Sequence, residues 1–251
     1  MNDRIIKNKV RLDRLLVERG ICQTRERARA LIMSGAVMVG DMRTDKAGAL
    51  VSVVADIRIK GEDNPFVSRG GLKLRGALHE LKIDVGDLVI LDVGASTGGF
   101  TDCLLQEGAR KVYALDVGYG QLAWKLRGDK RVGIIERTNI RYFDGAGIEE
   151  TIDMATIDTS FISLKLVIPA VLKLIKKNEA VILALIKPQF EAGRGEVEKR
   201  GVVKNPEVHK KVIEGIEEFC EGLGLTVAGI CESPLTGPEG NKEFFIYLRT
   251  P

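Results

Sequence analysis

A chain of 251 residues, 45% hydrophobic and 29% charged with a net charge of +3, has room for one medium and one small domain and is too apolar for a disordered chain. Its apolar runs, such as Val181 to Ile186, fall far short of the roughly 20 residues that a bilayer crossing needs. The opening stretch MNDRIIKNKVRLDR has no signal-peptide apolar region, so a cytoplasmic protein without membrane contact is expected.

Cys22, Cys103, Cys220 and Cys231 have no C-x-x-C spacing, which argues against zinc and disulfides. No metal is expected. His79 and His209 are the only histidines and neither stands in a catalytic spacing. Charge is unevenly divided: residues 1 to 62 hold 13 Lys+Arg against 8 Asp+Glu, and the remainder 25 against 27.

In chain order, VRLDRLLVERG sets Leu12, Leu15, Leu16 and Arg19 at helical spacing and stops at Gly20. TRERARALIMSG makes a second helix with Thr24 as N-cap, Ala28, Leu31 and Ile32 on one face, and Gly35 as its stop. The stretches AVMVGD and DIRIKG read as short strands, with Gly40-Asp41 as turn chemistry. Arg11, Arg14, Arg25, Arg27 and Arg29 give this small α+β domain, residues 1–62, a cationic surface suited to phosphate contacts. A merely solubilising role for these arginines is as well supported by charge alone.

GEDNPFVSRGGLKLRGAL, with Pro65 and Gly70-Gly71, reads as a linker near residues 60 to 68 running into a helix. Beyond it, over residues 63–251, DLVILDVGA, KVYALDVG, VGIIERT, DMATIDTS and EAVILALIKP alternate with helical stretches, as in a parallel α/β sheet covered on both faces. LTVAGICESP and KEFFIYLRT are joined by a short link and should pair antiparallel. A parallel sheet with a reversed last strand fits a Rossmann-like class I methyltransferase better than a dehydrogenase, by analogy of fold.

The turn VGASTGG follows the first strand, with Gly94, Gly98 and Gly99 allowing close backbone approach and a helix N-terminus behind them. Asp116 closes the second strand, where a carboxylate can take both hydroxyls of a nucleoside ribose. NAD, FAD and S-adenosylmethionine all fit, as does a bare structural turn. The spacing departs from G-x-G-x-x-G because Ser96 occupies the second glycine position, which favours S-adenosylmethionine. Backbone around Gly94, Ala95, Ser96, Gly98 and Gly99 would meet its amino-acid portion, with Asn139 at the adenine edge.

Ligands of open α/β sheets sit outside the carboxyl ends of the strands. Asp158 and Lys187 close two strands there, and Glu243 opens the reversed strand at the same edge. Asp158 could instead cap a helix starting near Ser160, and Lys187 and Glu243 could face water. EAGRGEVEKRGVVKNPE, after Lys187, reads as a mobile loop near the substrate or an ordinary solvated loop.

Together, RLDRLLVERGICQTRERARALIMSGAVMVG, SRGGLKL, DVGASTGGF, DTSFISL, IKPQFE and GNKEFF carry a resemblance nearly end to end. The first, over roughly residues 10 to 60, resembles the RNA-binding domain first described in ribosomal protein S-four. The others resemble the FtsJ-like ribose methyltransferases, and the whole resembles the TlyA family, known both as hemolysins and as ribosomal RNA 2′-O-methyltransferases. The resemblance implies a Lys-Asp-Lys-Glu tetrad at Lys73, Asp158, Lys187 and Glu243, S-adenosylmethionine as cofactor, and ribosomal RNA or ribosomal subunits as partner; the oligomeric state stays open, with a monomer as the default expectation. Lys187 would receive or orient the ribose hydroxyl proton, and Asp158 and Glu243 would hold the lysines. Whether Lys187 acts as a base or an orienter stays open, since burial and Lys73 favour the amine and the carboxylates the ammonium. A membrane-active protein, a noncatalytic RNA binder and an NAD-dependent oxidoreductase are the rival readings.

Overall fold

A computed structural model of the chain describes residues 9–22, 24–40, 42–59, 64–193, 195–198, 201–237 and 239–251. The chain divides into two compact units at residues 63 and 64. Within the segment expected as a linker, residues 60–63 lie outside the described residues, as does Asp41 of the expected turn.

The first unit packs two helices on short strands: β1 (Lys9–Arg11), α1 (Leu12–Glu18), α2 (Arg25–Met33), β2 (Val37–Val39), β3 (Met42–Arg43), β4 (Leu50–Ser52) and β5 (Ile57–Ile59). β2 pairs antiparallel with β3 and β5, and β1 with β4. Leu12, Leu16, Ala28, Ile32 and Val37 close its core. Thr24 Oγ1 accepts from the Arg27 N–H at 3.2 Å, capping α2. Arg19 is structural: its guanidinium donates to the carbonyls of Val53 and, at 2.7 Å, Ala55.

The second unit contains α3 (Gly70–Glu80), β6 (Val89–Val93), α4 (Gly99–Gln106), β7 (Lys111–Leu115), α5 (Trp124–Arg127), β8 (Val132–Ile135), β9 (Met154–Ile157), α6 (Leu164–Val171), β10 (Val181–Ile186), α7 (Pro188–Glu191), α8 (Pro206–Gly222), β11 (Thr226–Glu232) and β12 (Phe244–Arg249). Its seven-stranded sheet has the order β11-β12-β10-β9-β6-β7-β8. The strands from β10 to β8 run parallel, and β12 runs antiparallel to both β10 and β11. This is the Rossmann-like arrangement with one reversed strand.

Continuous apolar strands suit a sheet covered on both faces, and all five residues of β6 are buried. On one face Leu74, Ala77 and Leu78 of α3 join Cys103 and Leu104 of α4 and Phe245. On the other, Leu164, Val167 and Ile168 of α6 join Val212, Ile216 and Cys220 of α8. Cys22, Cys103, Cys220 and Cys231 are all buried. Chain order reverses direction across the sheet between β6 and β9, whose carboxyl ends open the crevice where open α/β sheets take ligands.

Candidate active site

Gly94 leaves β6 with φ +87°, and a Cβ there would stand 2.5 Å from the Asp158 carbonyl oxygen. Both the left-handed backbone and the close approach of the turn after β9 therefore demand glycine. Ser96 follows with φ +49°, and its N–H donates to Asp116 Oδ2 at 2.8 Å while the Gly118 N–H donates to Oδ1 at 2.6 Å. Asp116, at the end of β7, thus sets the shape of the glycine turn. Gly98 is the N-cap of α4. A side chain at Gly99 would reach within 2.1 Å of Ser68 Oγ and 3.0 Å of the Gly71 nitrogen, so α4 and the start of α3 meet backbone to backbone.

That contact brings Lys73 to the sheet edge. Its Nζ lies 2.5 Å from Glu243 Oε2, with side-chain exposures of only 11% and 1%. Lys187 Nζ lies 2.5 Å from Asp158 Oδ1 and donates to Ser160 Oγ at 3.1 Å. The Lys187–Asp158 contact is close but misaligned, and Asp158 Oδ1, though buried, accepts no hydrogen bond among the described residues. A cavity of about 370 Å³ is lined by all four of these side chains together with Gly94, Ala95, Ser96 and Gly99. An adjoining recess of about 10 Å³ is lined by Asp116, Gly118 and Gln121 and shares Ala95 and Ser96 with the cavity.

Asn139 lines neither hollow, although the neighbouring Thr138 N–H donates to the Asp116 carbonyl at 2.9 Å; its side-chain oxygen accepts from the Arg141 N–H at 3.0 Å, capping a short 3₁₀ turn over Ile140–Tyr142. Nor does Asp158 cap a helix: Ser163 does so for α6, accepting from the Lys165 N–H at 3.1 Å.

Several lining residues were not singled out from the sequence, although Ser68, Arg69 and Ser160 fall inside the motifs SRGGLKL and DTSFISL. Ser68, Arg69, Ser160 and Thr236 all border the cavity. Phe161, next in sequence to Ser160, is 90% exposed at φ +63°, with its ring 5.0 Å from that of Phe190. Glu191 joins the same two segments, accepting from Ser163 Oγ at 2.6 Å and from the Leu164 N–H at 2.7 Å, and burial raises its carboxyl above the usual range. Behind the turn, fully buried Asp92 accepts from Thr101 Oγ1 at 2.6 Å and Thr156 Oγ1 at 3.0 Å, and burial pushes its carboxyl up to about 6.

The charged segment 191–207 does not border the cavity in its described part; Arg194, Lys199 and Arg200 lie outside the described residues. Asn241 holds it, accepting from the Val203 N–H and donating to the Gly201 carbonyl, each at 2.9 Å, and His209 Nε2 bonds the Val203 carbonyl at 2.9 Å.

In the first unit, Arg11 and Arg25 converge on buried Asp13, at 2.9 and 3.0 Å. These contacts hold the Asp13 carboxyl far below the usual carboxylate range, the Arg11 hydrogen bonds most of all. Arg14 pairs with Glu18 at 2.6 Å. Arg27 is half-buried and Arg29 exposed. Among the described residues no group of three or more His, Cys, Asp and Glu side chains could hold a metal ion, and no helix is long and apolar enough to cross a membrane.

Comparison with known proteins bears on this geometry. Residues 66–250 match the FtsJ-like methyltransferase family and residues 10–56 the S4 domain. A Bacillus subtilis protein, YqxC, named provisionally as an rRNA methyltransferase, is 48% identical over 97% of this chain and 86% of its own. The 16S/23S rRNA (cytidine-2′-O)-methyltransferase TlyA of Mycobacterium tuberculosis is 42% identical over 96% of this chain and 90% of its own. A solved structure from Streptococcus thermophilus with a provisional hemolysin name is 43% identical, covers 97% of this chain and 89% of its own, and superposes with a TM-score of 0.76.

Proposed function

The chain belongs to the FtsJ-like methyltransferase family, and from that membership and the cavity at the sheet edge we propose that it methylates a ribose 2′-hydroxyl of ribosomal RNA with S-adenosylmethionine. The observation that carries the reading is the convergence of Lys73, Asp158, Lys187 and Glu243, drawn from four separate segments, on one cavity beside the Gly94 turn. A noncatalytic RNA binder has no need for two lysine–carboxylate pairs at the carboxyl edge of its sheet. The rRNA methyltransferase name of the tuberculosis relative supports the substrate class.

The residues fit the cofactor. Gly94 and Gly99 leave bare backbone at the cavity wall, and Asp116, although it already accepts two backbone N–H groups, has lone pairs left for ribose hydroxyls. S-adenosylmethionine bound there supplies a methyl group on a sulfonium sulfur. The protein's part is alignment of the attacking oxygen and handling of one proton. Lys187, held between Asp158 and Ser160, holds or receives that proton at the 2′-oxygen. Asp158 fixes Lys187, and Glu243 fixes Lys73. The S4 domain, with Arg11, Arg14, Arg25, Arg27 and Arg29, supplies RNA affinity to a monomer working in the cytoplasm.

The test is incubation of the protein with methyl-labelled S-adenosylmethionine and either protein-free ribosomal RNA or assembled subunits. Label in alkali-resistant dinucleotides is the expected result, because a methylated 2′-oxygen cannot assist backbone cleavage. Label on bases alone, or none with folded and cofactor-bound protein, overturns the reading.

A further inference from the structure

Residues 63 to 251 carry a slight negative excess, yet the segment 117–142 holds six Lys+Arg against two Asp+Glu. The same segment carries Tyr119, Trp124 and Tyr142, which are 67%, 88% and 77% exposed. Single exposed apolar residues are ordinary, but here each tyrosine lies under an arginine. The Arg137 guanidinium lies 4.1 Å from the Tyr119 ring centre and that of Arg141 5.2 Å from the Tyr142 ring centre. Arg137 adopts φ +54°, a left-handed backbone that a bulky side chain rarely takes.

This surface continues the candidate site. The Arg137 N–H donates to the Gly118 carbonyl at 2.9 Å, tying the loop after β8 to the loop after β7, and Gly118 lines the recess beside the cavity. The Ala123 N–H donates to the Thr97 carbonyl at 3.2 Å, which seats the start of α5, and with it Trp124, beside a residue that lines the cavity.

We infer that the segment 117–142 is a second RNA-contacting surface, on which unpaired nucleotides flanking the methylated residue stack against Trp124 and the Tyr119–Arg137 and Tyr142–Arg141 pairs. Aromatic faces interleaved with cations are the pattern of single-strand binding, in which bases stack on rings and phosphates meet the charges. The inference rests on RNA being the substrate and adds affinity from within the catalytic unit, beyond the S4 domain.

Trp124 is the only tryptophan, so its fluorescence reports stacking directly. In the full chain, protein-free ribosomal RNA quenches it and S-adenosylmethionine alone does not. Trp124→Ala and Arg137→Ala each weaken rRNA binding about tenfold, measured by filter retention, with the thermal midpoint unchanged and S-adenosylmethionine affinity within about twofold of wild type. Unchanged rRNA affinity in both variants overturns the inference. So does a loss confined to S-adenosylmethionine affinity, which makes these rings part of the cofactor site, or a loss seen only with assembled subunits, which makes the partner a protein. Because binding is read without methylation, a wild type that binds rRNA through these residues but transfers no methyl removes the proposed activity and leaves this surface standing.

Discussion

Lys73 Nζ and Glu243 Oε2 are 2.5 Å apart although 170 positions separate them, and neither side chain is more than 11% exposed. Burying such a pair gains little over an apolar one, but removing one partner strands a charge at a cost of about 3–5 kcal/mol. Glu243→Ala should lower unfolding stability by that order, read from urea denaturation. Lys73→Met combined with Glu243→Leu should recover most of it and still transfer no methyl. Recovery of activity in the double variant would make the pair purely structural.

Gly94→Ala should combine a strained backbone with a clash on the Asp158 carbonyl oxygen. A left-handed non-glycine residue alone costs about 1–3 kcal/mol. Because the clash pushes the β9 turn away from the β6 turn, affinity for S-adenosylmethionine should fall at least about tenfold by calorimetry, more than stability alone explains. Undiminished affinity in a folded variant would remove the turn from the cofactor site.

Asp92 gives stability a pH dependence of definite sign. Burial raises its folded-state carboxyl to about 6, above the roughly 3.9 of an unfolded aspartate, so the folded state binds the proton more tightly. Its contribution is complete below about pH 4 and is lost as pH rises through about 6, a swing of about 3 kcal/mol. Urea midpoints of wild type minus Asp92→Asn should show this fall. A difference that is flat from pH 4 to 7 would mean Asp92 stays ionised.

Glu191 reaches from α7, which begins one residue after Lys187, to Ser163 and the Leu164 N–H at the start of α6. Glu191→Ala removes two hydrogen bonds to a carboxylate, about 2 kcal/mol, and frees the Lys187 segment from the Asp158 segment. The maximal methyl-transfer rate should fall about tenfold with S-adenosylmethionine affinity intact, and Glu191→Gln should restore most of it. Equal losses in both variants would point to a need for charge rather than for placement.

The large unit was legible where burial dictates sequence. VILALI, and VILDV apart from Asp92, are apolar because both faces of their strands are covered, and strand ends then set Asp158, Lys187 and Glu243 on one edge. Lys73 had no such rule, since its place depends on the Gly99–Gly71 backbone contact, and only the resemblance singled it out. β1 and β4 are three residues each and leave no periodicity to read. Asn139 fits an adenine contact and a local cap equally well by residue type, and its side-chain oxygen makes the capping bond to the Arg141 N–H. The cationic, aromatic segment 117–142 was hidden because domain-wide charge counting averages it away and exposure is not written in composition.

The central claim is that Lys187 acts on the proton of the attacking hydroxyl. Single-turnover methyl transfer to ribosomal RNA by Lys187→Ala, with cofactor and RNA both saturating, tests it most directly. The account predicts a rate about 10²–10⁴-fold below wild type while S-adenosylmethionine and RNA affinities stay within about threefold. A rate within a factor of three of wild type would contradict it.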